Sequence, residues 1–334
     1  MPLKNNMHLA AYCLSTLLVY LIIQPNMQLT KADELKLDPA QVVGPDSCGE
    51  CHKQSVEIWK TTHHATTFQN LPRSDKAKEI AKAMEIRRIK NESSCLSCHF
   101  TSANVEEKIK PIAGITCESC HGAGKEWVDV HSDFGGKGVT AENENPEHRT
   151  TRYTTSVAAG FIRPTDLYKV AENCYQCHTV PNEKLVNIGG HPAGSKFELV
   201  SWSQGEIRHN VWYTKDNDYA SKNRQRMMYI VGQTLDLEFA LRGVAKATEK
   251  AKYAVAMAKR AKIAEKRLQK VAEMVDIPEV ARILSITEAT KLKLNNEEQL
   301  LLAADAVKTE ALKITEIYDG GTFQKIDPLL PNLE

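Results

Sequence analysis

Apolar and polar positions fall into three regimes along the chain. The first is an uninterrupted apolar run of 15 residues, Leu9 to Ile23, preceded by Lys4 and followed by Thr30-Lys31-Ala32. It is shorter than the roughly 20 residues that span a bilayer, so residues 1–32 read as an export signal cleaved after Ala32. An uncleaved membrane anchor is the competing reading; once the signal is cut, no stable membrane insertion is expected. The third regime runs from Gln233 to Tyr318 and is rich in Ala, Lys and Glu at helical spacing. One register reads Ala240, Val244, Ala247, Ala251, Ala254, Ala258, Ala261, Leu268, Val275. It predicts a helix from Asp236 to Val275, a rod of about 60 Å, whose small residues would let another helix approach closely.

Proline chemistry ends that rod near Asp276-Ile277-Pro278. Ser285 and Glu288 have capping-box spacing and predict a further short helix starting there. A last helix is expected from Asn296 to Tyr318, stopped by Gly320-Gly321. Between the two outer regimes, order is carried by cysteine and histidine, and both stop at a polar run over Lys215–Asn223. The domain expectation is therefore 1–32 signal, 33–215 a Cys/His domain, and 216–334 a helical region. The fold class is mainly α with little β: a small cofactor-packed domain followed by a long hairpin- or bundle-like helical region.

Composition narrows the chemistry. The chain carries 43 Lys+Arg against 42 Asp+Glu, a balance that argues against nucleic-acid binding. Aromatic residues make up only 6%, too few for an obvious aromatic core. There are nine cysteines. Cys13 lies inside the signal, and the other eight form four pairs: Cys48/Cys51, Cys95/Cys98, Cys117/Cys120 and Cys174/Cys177, each followed at once by a histidine, namely His52, His99, His121 and His178.

CxxCH is the spacing of c-type haem attachment. Two thiols add to the haem vinyl groups, and the adjacent imidazole is held under the iron. Disulfides, structural zinc and thiol redox all use paired cysteines, but none needs a histidine after every pair. With 11 His in 334 residues, four such coincidences have a chance of about one in a million. Four covalent haem c groups follow, at about 43 residues per haem between Val42 and Tyr213. Such large flat apolar groups would themselves form the core, and folding would depend on them. Attachment takes place outside the bacterial cytoplasm, which agrees with the export signal and a periplasmic location.

Six further histidines follow the signal: His63, His64, His131, His148, His191 and His209. Four could complete the iron coordination. Met84, Met227 and Met228 are other candidates, although methionine at helical spacing is usually core. His148 lies in a polar run and reads as solvated.

Over about residues 44–212 the chain resembles the tetrahaem cytochrome c-554 family, the electron carriers of ammonia-oxidising nitrifiers. The resemblance rests on CGECHKQSVEIWKTTHHA, with a His-Ala twelve residues after the first haem histidine, and on GITCESCHGAGKEWVDVH, with a His ten residues after the third. It implies that His64 ligates the fourth haem opposite His178, with His63 the alternative. It likewise implies that His131 ligates the first haem opposite His52. A weaker likeness in NIGGHPAGSKFELVSWSQGEIRHN places His209 opposite His121 at the third haem. In the family the second haem, here on His99, is five-coordinate; His191, in a Gly/Pro-shaped loop, is the candidate that would close it. Gly122 and Gly124 suit a tight turn against a porphyrin face.

Three functions remain open on these residues. The leading one is a periplasmic carrier that passes single electrons between redox partner proteins, with a hydroxylamine-oxidoreductase-like donor implied by the resemblance alone. The second is a haem enzyme whose open second iron reduces a nitrogen oxide such as nitric oxide, or a peroxide. The third is an assembly role, with self-association through the C-terminal helices. That half carries ten Lys/Arg and two Glu over Arg242–Lys270, and six acids and two Lys over Asn296–Asp319. Two oppositely charged helices that pair with each other, or a basic face for an acidic partner, would each explain the contrast.

Overall fold

The computed structural model describes residues 35–212 and 215–333; the expected export signal with Cys13 lies outside them. Short helices dominate the first half: α1 (Pro45–Gly49), α2 (Lys53–Lys60), α3 (His63–Asn70), α4 (Asp75–Ala83) and α5 (Ser93–His99). An antiparallel hairpin follows, β1 (Thr101–Val105) on β2 (Lys108–Ala113), with Val105 opposite Lys108 at the turn. Then come α6 (Glu118–His121), α7 (Val128–Ser132), α8 (Pro146–Ala158), α9 (Leu167–His178), α10 (Glu183–Asn187) and α11 (Leu199–Ser203). Four further helices follow, three of them long: α12 (Lys222–Lys246), α13 (Lys252–Met274), the shorter α14 (Pro278–Ala289) and α15 (Glu297–Ile317). The architecture is mainly α with one small hairpin, and its C-terminal region is helical throughout.

The apolar core is unevenly placed. Before Leu167, only Val56, Ala81, Leu96, Phe100, Ala103, Ala113 and Trp127 are buried hydrophobics among the described residues, and none joins the main cluster. That cluster begins at Leu167, Tyr168, Ala171 and Tyr175 on α9 and runs through α12–α15 to Ile326. The first half, which holds three of the four CxxCH motifs, thus lacks a protein-only core. The fourth motif sits on a helix that shares the C-terminal core.

Helix α12 is the hub, buried on nearly every face and packed against α9, α11, α13 and α15. Its buried charges are paired, as a low-dielectric interior requires. Arg226 forks onto Asp327 at 2.6 and 2.8 Å, Glu238 accepts from the Tyr168 hydroxyl at 2.5 Å and from Arg242 at 2.8 Å, and Asp236 pairs with Arg260.

Several elements differ from their sequence expectation. The rod from Asp236 to Val275 is two helices, broken between Lys246 and Lys252. At the break the Thr248 amide and hydroxyl donate to the Glu183 carboxylate at 2.9 and 2.7 Å. This turn folds α13 back along α12, so the small-residue register faces a neighbour within the same hairpin. No helix starts at Ser285: Pro278, at a first-turn position, already opens α14, and the Ser285 hydroxyl donates to the Ala281 carbonyl in mid-helix. The expected last helix does run from cap Asn296 to cap Tyr318. Basic α13 and acidic α15 both pack on α12, and α15 finds its cations elsewhere: Asp305 pairs with Arg242, and Glu310 with Arg282 and Lys313. Met227 and Met228 are buried in the α12 core.

Candidate functional site

Each CxxCH motif is built on one helical turn. Cys95, Cys98 and His99 lie within α5, Cys174, Cys177 and His178 form the last turn of α9, and Cys117 caps α6, which ends at His121. Cys48 lies in α1, and the His52 amide closes the turn onto the Cys48 carbonyl at 2.9 Å. Helical periodicity explains the spacing: residues i, i+3 and i+4 share one face, so both thiols and the imidazole are presented to the same flat group.

Cys51 differs from the other motif thiols in its burial. It is exposed, whereas the other seven are half-buried. The reason is local. Cys98, Cys120 and Cys177, the second cysteines of the other motifs, lie within helices α5, α6 and α9. Helix α1 has only five residues and ends at Gly49, so Cys51 falls on the turn beyond it. Its amide still reaches the Cys48 carbonyl, at 3.4 Å, which keeps the motif's spacing at the protein surface.

The structure then brings four histidine pairs together across long sequence separations. Ring centroids are 6.2 Å apart for His52–His131, 6.2 Å for His64–His178, 6.3 Å for His99–His191 and 6.3 Å for His121–His209. A metal–imidazole bond of about 2.0 Å on each side, with each ring centre roughly 1.15 Å behind its ligating nitrogen, separates two centroids across one metal by about 6.3 Å. The four gaps therefore match one iron each. His63, by contrast, points outward: its side chain is 92% exposed, and its amide and Nδ1 engage the Glu206 carboxylate.

Second contacts orient five of the eight rings. Nδ1 of His121 lies 2.9 Å from the Ile162 carbonyl, that of His131 2.5 Å from Val128, that of His191 2.9 Å from Pro192, and that of His209 2.7 Å from Ile207. His178 differs in using a side chain, with Nδ1 3.0 Å from the Ser195 hydroxyl. An Nδ1–H committed to an acceptor leaves Nε2 as the free lone pair, the arrangement metal-bound histidines adopt. Burial favours the neutral, ligating form of six imidazoles: His99 and His178 are each pushed down to about 4, and His52, His64, His121 and His131 are lowered for the same reason.

All eight cysteines are free of disulfides. Thiols from different motifs nevertheless lie near each other: Cys48 is close enough to Cys117, and Cys98 to Cys177, for each to perturb the other's ionisation. Motif one thus lies beside motif three, and motif two beside motif four. No group of three or more His, Cys, Asp or Glu is placed to hold a metal ion among the described residues. Two imidazoles and a CxxC thiol pair at each motif form the donor set that would hold a c-type haem.

Residues 47–122, covering the first three motifs, match the family model described as cytochrome c554 and c-prime. The cytochrome c-554 of Nitrosomonas europaea is 32% identical over 115 residues, which cover 32% of this chain and 48% of that protein. Through this segment the chain is similar to the cytochrome c-554 family. It spans about half the length of the curated relative it matches, and no solved structure matches it. Covalently attached haem c is the cofactor that this likeness supports for the segment. The fourth motif and α12–α15 lie beyond the family match.

Around the cytochrome c-554 motifs the structure adds residues that the motif reading overlooked. Glu118, inside the third CxxCH, is buried and accepts from the amides of Val43 at 3.0 Å, Gly44 at 2.9 Å and Gly124 at 2.7 Å. It ties the strand entering the first motif to the third. Gly122, at φ +87°, lies so close to the Gly160 carbonyl that a Cβ would fall 2.2 Å from it, and a Cβ on Gly124 would meet Val43. Both turns are tight, but against protein backbone and side chain. The acidic residue in CESCH was the available signal for Glu118.

His148 is not simply solvated; its Nδ1 lies 2.8 Å from the buried Glu144, which also accepts from Arg152 at 2.8 Å. Arg152 in turn donates to the His131 carbonyl at 2.7 Å, fixing α7. Trp127 stacks on Phe161 at 4.3 Å beside His131, and its buried indole N–H has no protein partner. A donor of this kind is what a haem carboxylate accepts.

Proposed function

We propose that the protein is an exported tetrahaem c-type cytochrome that relays single electrons between redox partner proteins in the periplasm. Cys48/Cys51, Cys95/Cys98, Cys117/Cys120 and Cys174/Cys177 would hold the four groups through thioethers, with the Cys51 bond at the solvent-facing edge of the first haem. The axial pairs would be His52/His131, His99/His191, His121/His209 and His178/His64. The observation that carries this reading is the set of four imidazole pairs spaced for one iron each.

Haem c supplies a one-electron couple, which bis-histidine ligation sets at low potential relative to Met/His ligation. The chain holds six of the imidazoles neutral through burial and orients five of the rings through Nδ1. It also places motif one beside motif three and motif two beside motif four, an arrangement that would keep the gaps electrons must cross short. With His191 opposite His99, these two residues would together close both sides of the second iron, which favours a carrier over an enzyme. No helix among the described residues is long and apolar enough to cross a membrane.

Haem content per chain, from the pyridine haemochrome and the intact mass, tests the count: four haems are expected on a chain lacking residues 1–32. A colourless product, or a mass equal to the bare polypeptide, would end the reading. Nitric oxide binding by a quarter of the reduced haem would move it to an enzyme open at the second iron.

A further inference from the structure

The helices beyond the family match reach one of the axial ligands. The loop after α10 returns beneath α9, and there Ser195 makes three contacts. Its amide donates to the His178 carbonyl at 3.1 Å, its hydroxyl lies 3.0 Å from His178 Nδ1, and its own carbonyl accepts from Arg260 Nη1 at 3.2 Å. Arg260 projects from α13 and pairs through Nε with Asp236, a residue of α12 that is 5% exposed. Gly194, at φ +86°, makes the approach possible: a Cβ there would lie 2.9 Å from both Arg260 Nη1 and the His178 carbonyl. His178 is alone among the eight paired histidines in having a side-chain acceptor recorded at Nδ1.

We propose that Asp236 and Arg260 are positioning residues for the His178 ligand, acting through Ser195, and that the C-terminal helices thereby set the reduction potential of the iron held between His178 and His64. The physical chain is short. An Nδ1–H that donates to a well-placed oxygen makes Nε2 a stronger base. A stronger axial base favours ferric over ferrous iron and lowers the potential. The Ser195 hydroxyl is well placed only while its backbone is pinned, and the pin is a guanidinium anchored on a buried carboxylate of another helix. An Arg fork can grip Asp236 and the Ser195 carbonyl at once, which a lysine cannot. The inference rests on His178 and His64 sharing one iron, as proposed above.

Potentiometric titration of the holoprotein tests it, with the spin state recorded in parallel. Ser195→Ala removes the acceptor and should raise one of the four midpoints by about threefold in the equilibrium constant, about 28 mV at 59 mV per tenfold. All haems should stay low-spin. Ser195→Thr keeps the hydroxyl and should restore the wild-type value. The charge-neutral pair Asp236→Asn/Arg260→Met should raise the same midpoint, and Arg260→Lys provides a milder variant should the pair fail to fold. Four unchanged midpoints in Ser195→Ala would overturn the proposal. So would a shift in Ser195→Ala that neither helix variant reproduces. His64→Ala is the separate check on the ligand pair: it should give a high-spin ferric signal, and its absence would sink the pairing itself and not the positioning.

Discussion

His99 at the end of α5 and His191 in the loop after α10 face each other with ring centroids 6.3 Å apart. The family resemblance implies an open iron at this haem, so the pair decides between a carrier and an enzyme. His191 is held from both sides: its amide donates to the Leu185 carbonyl at 3.1 Å, and its Nδ1 lies 2.9 Å from the Pro192 carbonyl. Electron paramagnetic resonance of the oxidised protein should therefore show only low-spin haem. His191→Ala should convert one quarter of it to high-spin and create a nitric oxide site on reduction. An unchanged spectrum would remove His191 from the second haem.

How far this arrangement was legible beforehand depends on the range of the contacts. The thiols and proximal imidazoles are readable because CxxCH is a local pattern, closed within one helical turn. Their burial is not, since the exposure of Cys51 follows from where α1 happens to end. Distal partners are not local: His191 and His209 lie in loops whose course is set by packing, and periodicity is silent about loops. The resemblance places His64 ahead of His63, but nothing local in the sequence shows that Glu206, far along the chain, draws His63 outward. The same holds for the fold. Asn296 to Tyr318 was readable from its caps, whereas the break in the Asp236–Val275 register depends on Glu183, which accepts the turn amides from another helix. The Ser285–Glu288 pattern misleads because Pro278 nucleates the turn before it.

Glu118 provides a test of how the haem segment is tied together. Its carboxylate receives three backbone amides, two of them just before the first motif. Hydrogen bonds to a charged group contribute about 1.5–3 kcal/mol each. Glu118→Ala leaves three buried N–H groups unpaired and should destabilise the holoprotein by about 3 kcal/mol or more in denaturant unfolding. Glu118→Gln keeps one acceptor but turns an amide toward a donor, and should fall in between. A loss below about 0.5 kcal/mol for Glu118→Ala, the range of ordinary surface changes, would show that the tie is not structural.

Glu144 gives a pH dependence with a defined sign. Its carboxyl is held down to about 2, first by Arg152 and then by His148 and Arg149. The folded value lies below the ordinary 4.5, so the stabilisation is fully present above about pH 4.5 and is lost as pH falls toward 2. Arg152 also holds the His131 carbonyl, so acid should loosen that segment. Unfolding midpoints of wild type and Glu144→Gln should differ most above pH 4.5 and converge toward pH 2. A difference that is constant across that window would refute the assignment.

The shared core makes a last prediction about dividing the chain. A cut after residue 215 separates the four CxxCH motifs from α12–α15, the boundary that composition suggests. It would also strip the cover from Tyr168, Ala171, Tyr175, Leu199 and Val200, which pack in one cluster with Ile230, Leu235 and Leu237. Tyr168 would lose Glu238, and the Tyr175 hydroxyl would lose the Gly232 carbonyl, to which it donates at 2.7 Å. The fourth motif lies on this same helix, α9, and exposed apolar patches of such size promote aggregation. Residues 33–215 expressed alone should therefore fail to accumulate as a soluble four-haem monomer. In the full chain, Leu235→Ala should cost about 2–5 kcal/mol and lower the yield of the fourth haem before the first three. A soluble truncated product carrying all four haems would show instead that α9 folds without its helical cover.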